Sequence, residues 1–456
     1  MKIFITVLGL LAVSPLVLTQ TTDLVAMFEP DSVLVQMDEY YYVDFNVTGS
    51  NFQANDEIVA ISEMENLATA EWNSTYRLTA EEANNGFFEG RLRINGHFLG
   101  RLEVYIESRR QSPTGTITIP VTGTLPVTVV RPQRVIDSIF TTSVAVLVSL
   151  IFINFGCAMH WPTVKEVLKK PIGPAIGMCG QFIFMPLISF GLGYPLFPDM
   201  PALRLGLFFM GVSPAGGASN IWTFILGGNL NLSLAMTSIS TIASFALMPA
   251  WLFSLGQVVF SNANIVVPYA RIGYFVVGLL VPLGFGLAMQ KFVPKIAKFM
   301  VRILKGFSTT LLLFIIIFAI ITNLYIFELF NWAILVAGMG LPWLGYLSGY
   351  IVARLLKQPH EDALAISIET GVQNMGIAVF LLRYALPQPE ADLTTVVPVS
   401  VSIMTPVPMM CIFIYQKISA FIRNRRKAKK TAIEDENTIE VTDKVPDTPV
   451  TDKQAA

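Results

Sequence analysis

Charge, cysteine and histidine are all scarce in this chain. Charged residues make up 14% of it against 53% hydrophobic, and the formal net charge is −1. A nucleic-acid partner would call for a basic excess, so none is expected. The cysteines, Cys157, Cys179 and Cys411, fall in apolar stretches with no metal or redox spacing, and the first third of the chain has none to form a disulfide. The histidines, His97, His160 and His360, are scattered and converge on no carboxylate. No catalytic residue is expected, and an enzyme is excluded.

What is present is a series of apolar runs over the last two thirds, the pattern of an α-helical polytopic membrane protein. Residues 1–19 combine one Lys, an apolar core and a small residue near the end, as in a signal peptide. Residues 20–134 contain no Lys. There, Val33 to Val47, Gly86 to Glu107 and Gly115 to Val130 show partial period-two alternation broken by Asn-Asn-Gly, Asn-Gly and Ser-Pro turns. The expectation is an extracellular β-sandwich of roughly seven short strands. Asn46 and Asn73 begin glycosylation sequons in it. The apolar runs occupy 135–422, the expected transmembrane domain, and the tail, 423–456, turns from basic to acidic without aromatic residues and is expected to be cytosolic and disordered.

At ~20 residues per span, about nine spans fit, centred on Val144, Phe182, Met210, Ser240, Val277, Ile315, Ala337, Gly376 and Val407. Alternate connections carry Lys165, Lys169 and Lys170; Lys291, Lys295 and Lys298; Arg354 and Lys357; and Arg423 to Lys430. The others carry no Lys or Arg. Positive-inside logic puts the basic set in the cytoplasm and the N-terminus outside, which the odd count also requires; the expected location is the plasma membrane.

One carboxylate, Glu369, lies deep in a span, where insertion costs at least ~2.5 kcal/mol unless something pairs with it. Around it, Glu369-Thr370-Gly371-Val372-Gln373-Asn374 concentrates oxygen donors beside a glycine that lets the helix unwind. A second break, Ser213-Pro214-Ala215-Gly216-Gly217-Ala218-Ser219-Asn220, lies five spans earlier and therefore in the opposite orientation. Paired broken helices point to inverted repeats with a midplane ion and substrate site. If they cross at their breaks, Asn220 and Asn374 approach each other. Facing half-helix ends suit an anion together with a cation. Ser233 and Thr237, at i and i+4 in the next span, add hydroxyls, and Gln181 precedes a proline kink at Pro186. Hard oxygen donors with a single carboxylate favour Na⁺ over Ca²⁺. Arg204 and Arg383, near the external span ends, have the charge to draw anions inward or to snorkel.

The runs Gly211 to Asn220, Asn231 to Thr241, Gln181 to Pro186 and Glu369 to Asn374, in that spacing, closely resemble the sodium/bile acid cotransporter family over roughly Val135 to Ser419. The resemblance implies a ten-helix inverted-repeat fold, its first helix missing in many animal members, with core and panel domains. It also implies two transported Na⁺ ions. One site would use Ser219, Asn220, Ser233, Thr237 and Glu369; the other Gln181, Glu369, Gln373 and the backbone of Thr370 and Gly371. The substrate would be a small organic anion, a bile acid, a sulfated steroid or a similar amphipathic anion, held beside Asn220 and Asn374. The large N-terminal region departs from intestinal and hepatic bile acid carriers and looks like orphan-type members with an ectodomain. The alternative is a receptor-like or adaptor membrane protein whose ectodomain binds a partner and whose transporter core is vestigial.

Overall fold

In this computed structural model the residues described are 24–72, 76–113, 115–132, 134–159, 161–262, 265–302 and 330–442. The expected signal peptide, Asn73 and the span centred on Ile315 lie outside them. The chain divides into two compact units, Met1–Arg134 with Gln388–Glu390 and Val135–Pro387 with Ala391–Ala456.

The first unit contains eight strands: β1 Val25–Glu29, β2 Val33–Gln36, β3 Tyr40–Thr48, β4 Glu57–Ser62, β5 Ala68–Glu71, β6 Phe87–Gly96, β7 Gly100–Ser112 and β8 Gly115–Val130. Hydrogen-bonded order runs β4-β7-β8-β1-β3-β6-β5, with β2 also on β8. Period-two alternation sends Val43, Phe45 and Val47 of β3, Leu92 and Ile94 of β6, Val104 and Ile106 of β7 and Leu125, Val127 and Val129 of β8 into one core. Phe45 meets the Trp72 ring edge-on at 5.3 Å, an aromatic contact worth ~1 kcal/mol beyond its burial.

Two strands are long where short ones were expected: β7 has 13 residues and β8 has 16. Strands β1, β4 and β5 went unanticipated. Ala68–Glu71 is a case in point, since Ala and Glu are poor strand formers and pairing with β6 holds them there. The Asn-Asn-Gly expected as a plain turn closes a short helix, α1, Ala80–Asn85. Thr79 and Glu82 form its capping box, and Gly86 ends it at φ 63°, where a side chain would be strained. Asn46 sits in mid-strand between β1 and β6, half-buried, its Oδ1 enclosed without a hydrogen-bond partner.

Buried Asp56 is held within this unit by Arg110, whose Nε and Nη2 donate to its two oxygens at 2.8 and 2.7 Å. The same carboxylate accepts the Gln53 N–H at 2.8 Å. These hydrogen bonds from Arg110 to Asp56 hold the guanidinium's pKa above its usual value.

In the second unit, helix α2 is Val135–Ala158, and the next span is α3, Ile172–Cys179, joined through one wide turn, Gly180–Phe184, to α4, Met185–Leu196. A broken pair follows: α5 Pro201–Val212 and α6 Ala218–Leu226. Then come α7 Leu230–Phe253, α8 Tyr269–Phe292 and α9 Trp332–Leu355. The second broken pair is α10 His360–Gly371 and α11 Met375–Ala385, and the unit ends with α12 Val396–Met404 and α13 Pro406–Thr442. Among the described residues six helical stretches are long and apolar enough to cross a bilayer, and Pro201–Val212 and Met375–Ala385 are shorter apolar pieces. This is an α-helical polytopic membrane protein with a β-rich N-terminal region. Asn229, Asn331 and Asn374 cap the starts of α7, α9 and α11, each accepting a backbone N–H three residues on.

The C-terminal helix continues to Thr442, where the chain beyond Thr431 was expected to be disordered. Its Arg, Lys, Ala and Glu are strong helix formers that need no packed face to extend a helix already nucleated by the apolar turns before them.

Candidate functional site

The site begins where α5 stops. Ser213 turns extended, with φ −66° and ψ 151°, as a residue before proline tends to, and Pro214 has no N–H to continue the helix. In the second pair the break falls at Val372, also extended. The two unwound segments cross antiparallel and bond to each other: Gly216 N–H donates to Val372 O at 2.8 Å, and Asn374 N–H to Pro214 O at 2.9 Å. Groups released from two helices therefore satisfy one another in the interior. A Cβ on Gly216 would lie 2.7 Å from Gln373 O, so only glycine permits this approach. The freed Ala215 N–H finds the Ser240 hydroxyl at 3.1 Å.

Glu369 lies one helical turn from the α10 break and is only 2% exposed. Ser233 Oγ donates to one carboxylate oxygen at 3.0 Å and Thr237 Oγ1 to the other. Both hydroxyls also reach Asn220 Oδ1, at 2.9 and 3.3 Å. Ser219 Oγ, next to Asn220 at the start of α6, is buried and makes no hydrogen bond among the described residues. The proton count decides what this cluster can do. Two hydroxyl hydrogens face four acceptor oxygens, the two of Glu369, Asn220 Oδ1 and the Ser233 carbonyl 3.0 Å from Thr237 Oγ1, and each hydroxyl has only one hydrogen to give. Among the described residues no basic side chain pairs with Glu369. An oxygen-rich, proton-poor pocket around a buried carboxylate fits a hard cation. Among the described residues no group of three His, Cys, Asp or Glu side chains is placed to hold a metal, so a transition-metal centre has no support there.

Gln181 sits in the wide turn between α3 and α4. Pro186 cannot donate to the Phe182 carbonyl four residues back, which instead accepts the Trp251 indole N–H at 2.7 Å. The Gln181 amide nitrogen donates to Ser213 O at 2.6 Å and Gln373 Oε1 at 2.7 Å, and Gln373 donates to Thr370 O at 3.1 Å. The Gln181 carbonyl oxygen is left buried with no partner, a second vacancy for a positive charge.

The sequence-derived residues thus gather into two adjoining groups. Ser219, Asn220, Ser233, Thr237 and Glu369 form one; Gln181, Gln373 and Thr370, with Gly371 following, form the other. The Thr370 side chain turns away to Ile366 O, leaving its carbonyl inward. Both Glu369 oxygens serve the first group, and no hydrogen bond among the described residues joins them to Gln181 or Gln373. The helices cross as expected, yet no hydrogen bond links Asn220 to Asn374. Asn374 is taken up as the cap of α11, where its side-chain oxygen accepts Ile377 N–H. Arg383 forms a buried ion pair with Asp392 at 3.2 Å, and Arg204 stacks over Tyr194 at 4.8 Å. Neither position suits drawing anions inward.

Ser240, expected only as the centre of a span, and the Ser213 carbonyl were not singled out from the sequence. Also missed was the tie from Asn229 Nδ2 to Asp362 Oδ1, 2.7 Å. The i, i+4 spacing of Asn229, Ser233 and Thr237 was the available signal.

Residues 145–330 match the family described as Sodium Bile acid symporter family. Over 257 residues the chain is 30% identical to the sodium-dependent organic anion transporter of Rattus norvegicus, covering 55% of this chain and 67% of that protein. The chain belongs to the sodium bile acid symporter family. Other relatives include the P3 protein of Mus musculus, 31% identical over 60% of this chain and 59% of that protein. The ileal sodium/bile acid cotransporter of Oryctolagus cuniculus is 29% identical over 58% of this chain and 75% of its own length. The chain spans about three fifths of the length of the P3 proteins it matches. It is a member of a family of membrane transporters, not of enzymes.

Proposed function

We propose that the protein is a sodium-coupled symporter of a small organic anion. The observation that carries this is the buried Glu369 at the crossing of two broken helices, surrounded by oxygen donors with too few hydrogens to satisfy it. Relatives named for sodium-dependent organic anion and bile acid transport point the same way. In this reading one Na⁺ takes Ser219, Asn220, Ser233, Thr237 and Glu369, and a second takes Glu369 again with the Gln181 carbonyl, Gln373 and the carbonyls of Thr370 and Gly371. Two bound cations offset the carboxylate and hold the crossover together. The anion, a bile acid, a sulfated steroid or a similar amphipathic molecule, then docks beside Asn220 and Asn374 at the facing helix ends. Alternating access follows from rocking of one inverted repeat bundle, the core, against the panel.

The proposed topology has nine spans, including one around Ile315, in the plasma membrane, with residues 20–134 extracellular and the tail from 423 cytoplasmic. Asn46 and Asn73 are the proposed glycan acceptors, Asn46 the more constrained by its place in β3. The deciding experiment measures uptake of labelled bile acids and sulfated steroids in sodium and in choline medium, alongside sodium-dependent thermal stabilisation of the purified protein. Stabilisation by Na⁺ with sodium-driven uptake supports the symporter. A protein indifferent to Na⁺ is instead a receptor-like molecule with a vestigial core.

A further inference from the structure

Leading away from the Glu369 cluster, three helices packed against one another each carry polar residues one or two turns apart. On α10, Asp362 and Glu369 are i and i+7, on one face about 10 Å apart along the axis. On α7 and its cap, Asn229, Ser233 and Thr237 are i, i+4 and i+8. On α6, Ser219 and Thr223 are i and i+4. Thr223 is fully buried, and among the described residues its hydroxyl has no hydrogen-bond partner, as is true of Ser219. Its level in the seam is fixed by Gly228. A Cβ built there would come 2.8 Å from the Thr223 methyl and 3.4 Å from both Ala365 N and Glu361 O. Thr223 therefore lies beside the 361–365 turn of α10, the turn that carries Asp362, one turn along α6 from Ser219. Asp362, half-buried and bonded to Asn229, ends the seam.

A buried hydroxyl without a partner is costly to keep, and valine would fill the same volume without that cost. We propose that Thr223 is a transit ligand for the cation, lending its oxygen as the ion passes between the Glu369 cluster and Asp362, which receives it at the mouth of the seam. This rests on the sodium-coupled reading above, in whose topology the Asp362 end is cytosolic. A transit ligand stabilises the passing ion and not the bound one, so it speeds entry and exit equally and leaves affinity unchanged.

The test uses the purified full chain in detergent, with ²²Na⁺ as probe: equilibrium binding gives affinity, and rapid filtration gives association and dissociation rates. Thr223→Val is expected to slow both rates about five-fold, the equivalent of one hydrogen bond, with affinity within about two-fold of wild type. Thr223→Ser should restore them. Asp362→Asn should also slow both, and it keeps the proposal testable if Thr223→Val fails to fold. Unchanged rates in Thr223→Val overturn the proposal and make the hydroxyl a packing accident. Faster release with weaker affinity also overturns it, making Thr223 an ordinary site ligand. If the wild type itself binds no ²²Na⁺, the sodium-coupled reading is what has failed.

Discussion

Two carboxylates in this molecule are almost equally buried and are treated in opposite ways. Asp56, 1% exposed in the β-rich unit, is met by both nitrogens of the Arg110 fork and by a backbone N–H. Glu369, 2% exposed in the helical unit, meets only hydroxyls that are themselves shared with Asn220. The first charge is balanced by the protein and is structural. The second is balanced by nothing among the described residues, which is what a site for an exchangeable cation requires. Burial of a charge is thus uninformative alone; the nature of its partners separates architecture from function.

The largest expected effect comes from breaking that contrast on the Glu369 side. Glu369→Gln keeps the shape and removes the charge, so sodium should no longer raise the melting temperature. An intact sodium response in that variant would mean the carboxylate is structural. On the other side, Arg110→Met leaves Asp56 buried without a counter-charge, a change that costs about 3–5 kcal/mol when one member of a buried pair is removed. The transition of the β-rich unit should fall accordingly, while sodium still stabilises the helical unit. Differential scanning of both variants with and without Na⁺ reads the two outcomes together. A sodium response lost in Arg110→Met would show that the two carboxylates are not independent.

The same contrast explains what was legible in the sequence. Glu369, Gln373, Ser233 and Thr237 stand out because a bilayer makes each polar residue expensive, so every one flags itself against an apolar background. The crossing of the two breaks was also readable, since each sets glycine beside a run of polar oxygen donors in mid-span. Hydroxyls such as Thr223 and Ser240 were not, because small polar residues pack helices as readily as they bind ions, and only the partner of each oxygen tells them apart. Asp56 and Arg110 sit among many charges in an aqueous unit, and nothing in their spacing announces a pair that β7 brings together across 54 positions. Strands such as β5 were hidden for a related reason: their pairing partners, rather than their own composition, make them strands.

Sharpening the Glu369 side needs smaller changes. Ser233→Ala removes one neutral oxygen and leaves the carboxylate, so sodium affinity should drop several-fold, the scale of ~1 kcal/mol. Gln373→Ala releases Gln181 from one of its two acceptors and should weaken the neighbouring group by a similar factor. Sodium titrations should show a reduced Hill slope in each. If Ser233→Ala or Gln373→Ala abolished binding on its own, the two groups would be one site.

The smallest effect tests whether an ion pair matters without burial. Asp44 and Arg91 meet at 2.6 Å across β3 and β6, but their side chains are 59% and 64% exposed. The hydrogen bond from Arg91 holds the Asp44 carboxyl below its ordinary range. A carboxyl whose pKa is lowered by folding stabilises the fold above its unfolded pKa, and that contribution disappears as pH falls through the folded one. Asp44→Asn should therefore lower the β-unit transition, the one that Arg110→Met shifts, by a degree or so at about pH 7 and converge on wild type as pH falls below the lowered folded pKa of Asp44. High salt should shrink the difference further, since water and ions already screen an exposed pair. If Asp44→Asn instead costs as much as Arg110→Met and resists salt, exposure has not weakened the pair, and burial is not what sets Asp56 apart.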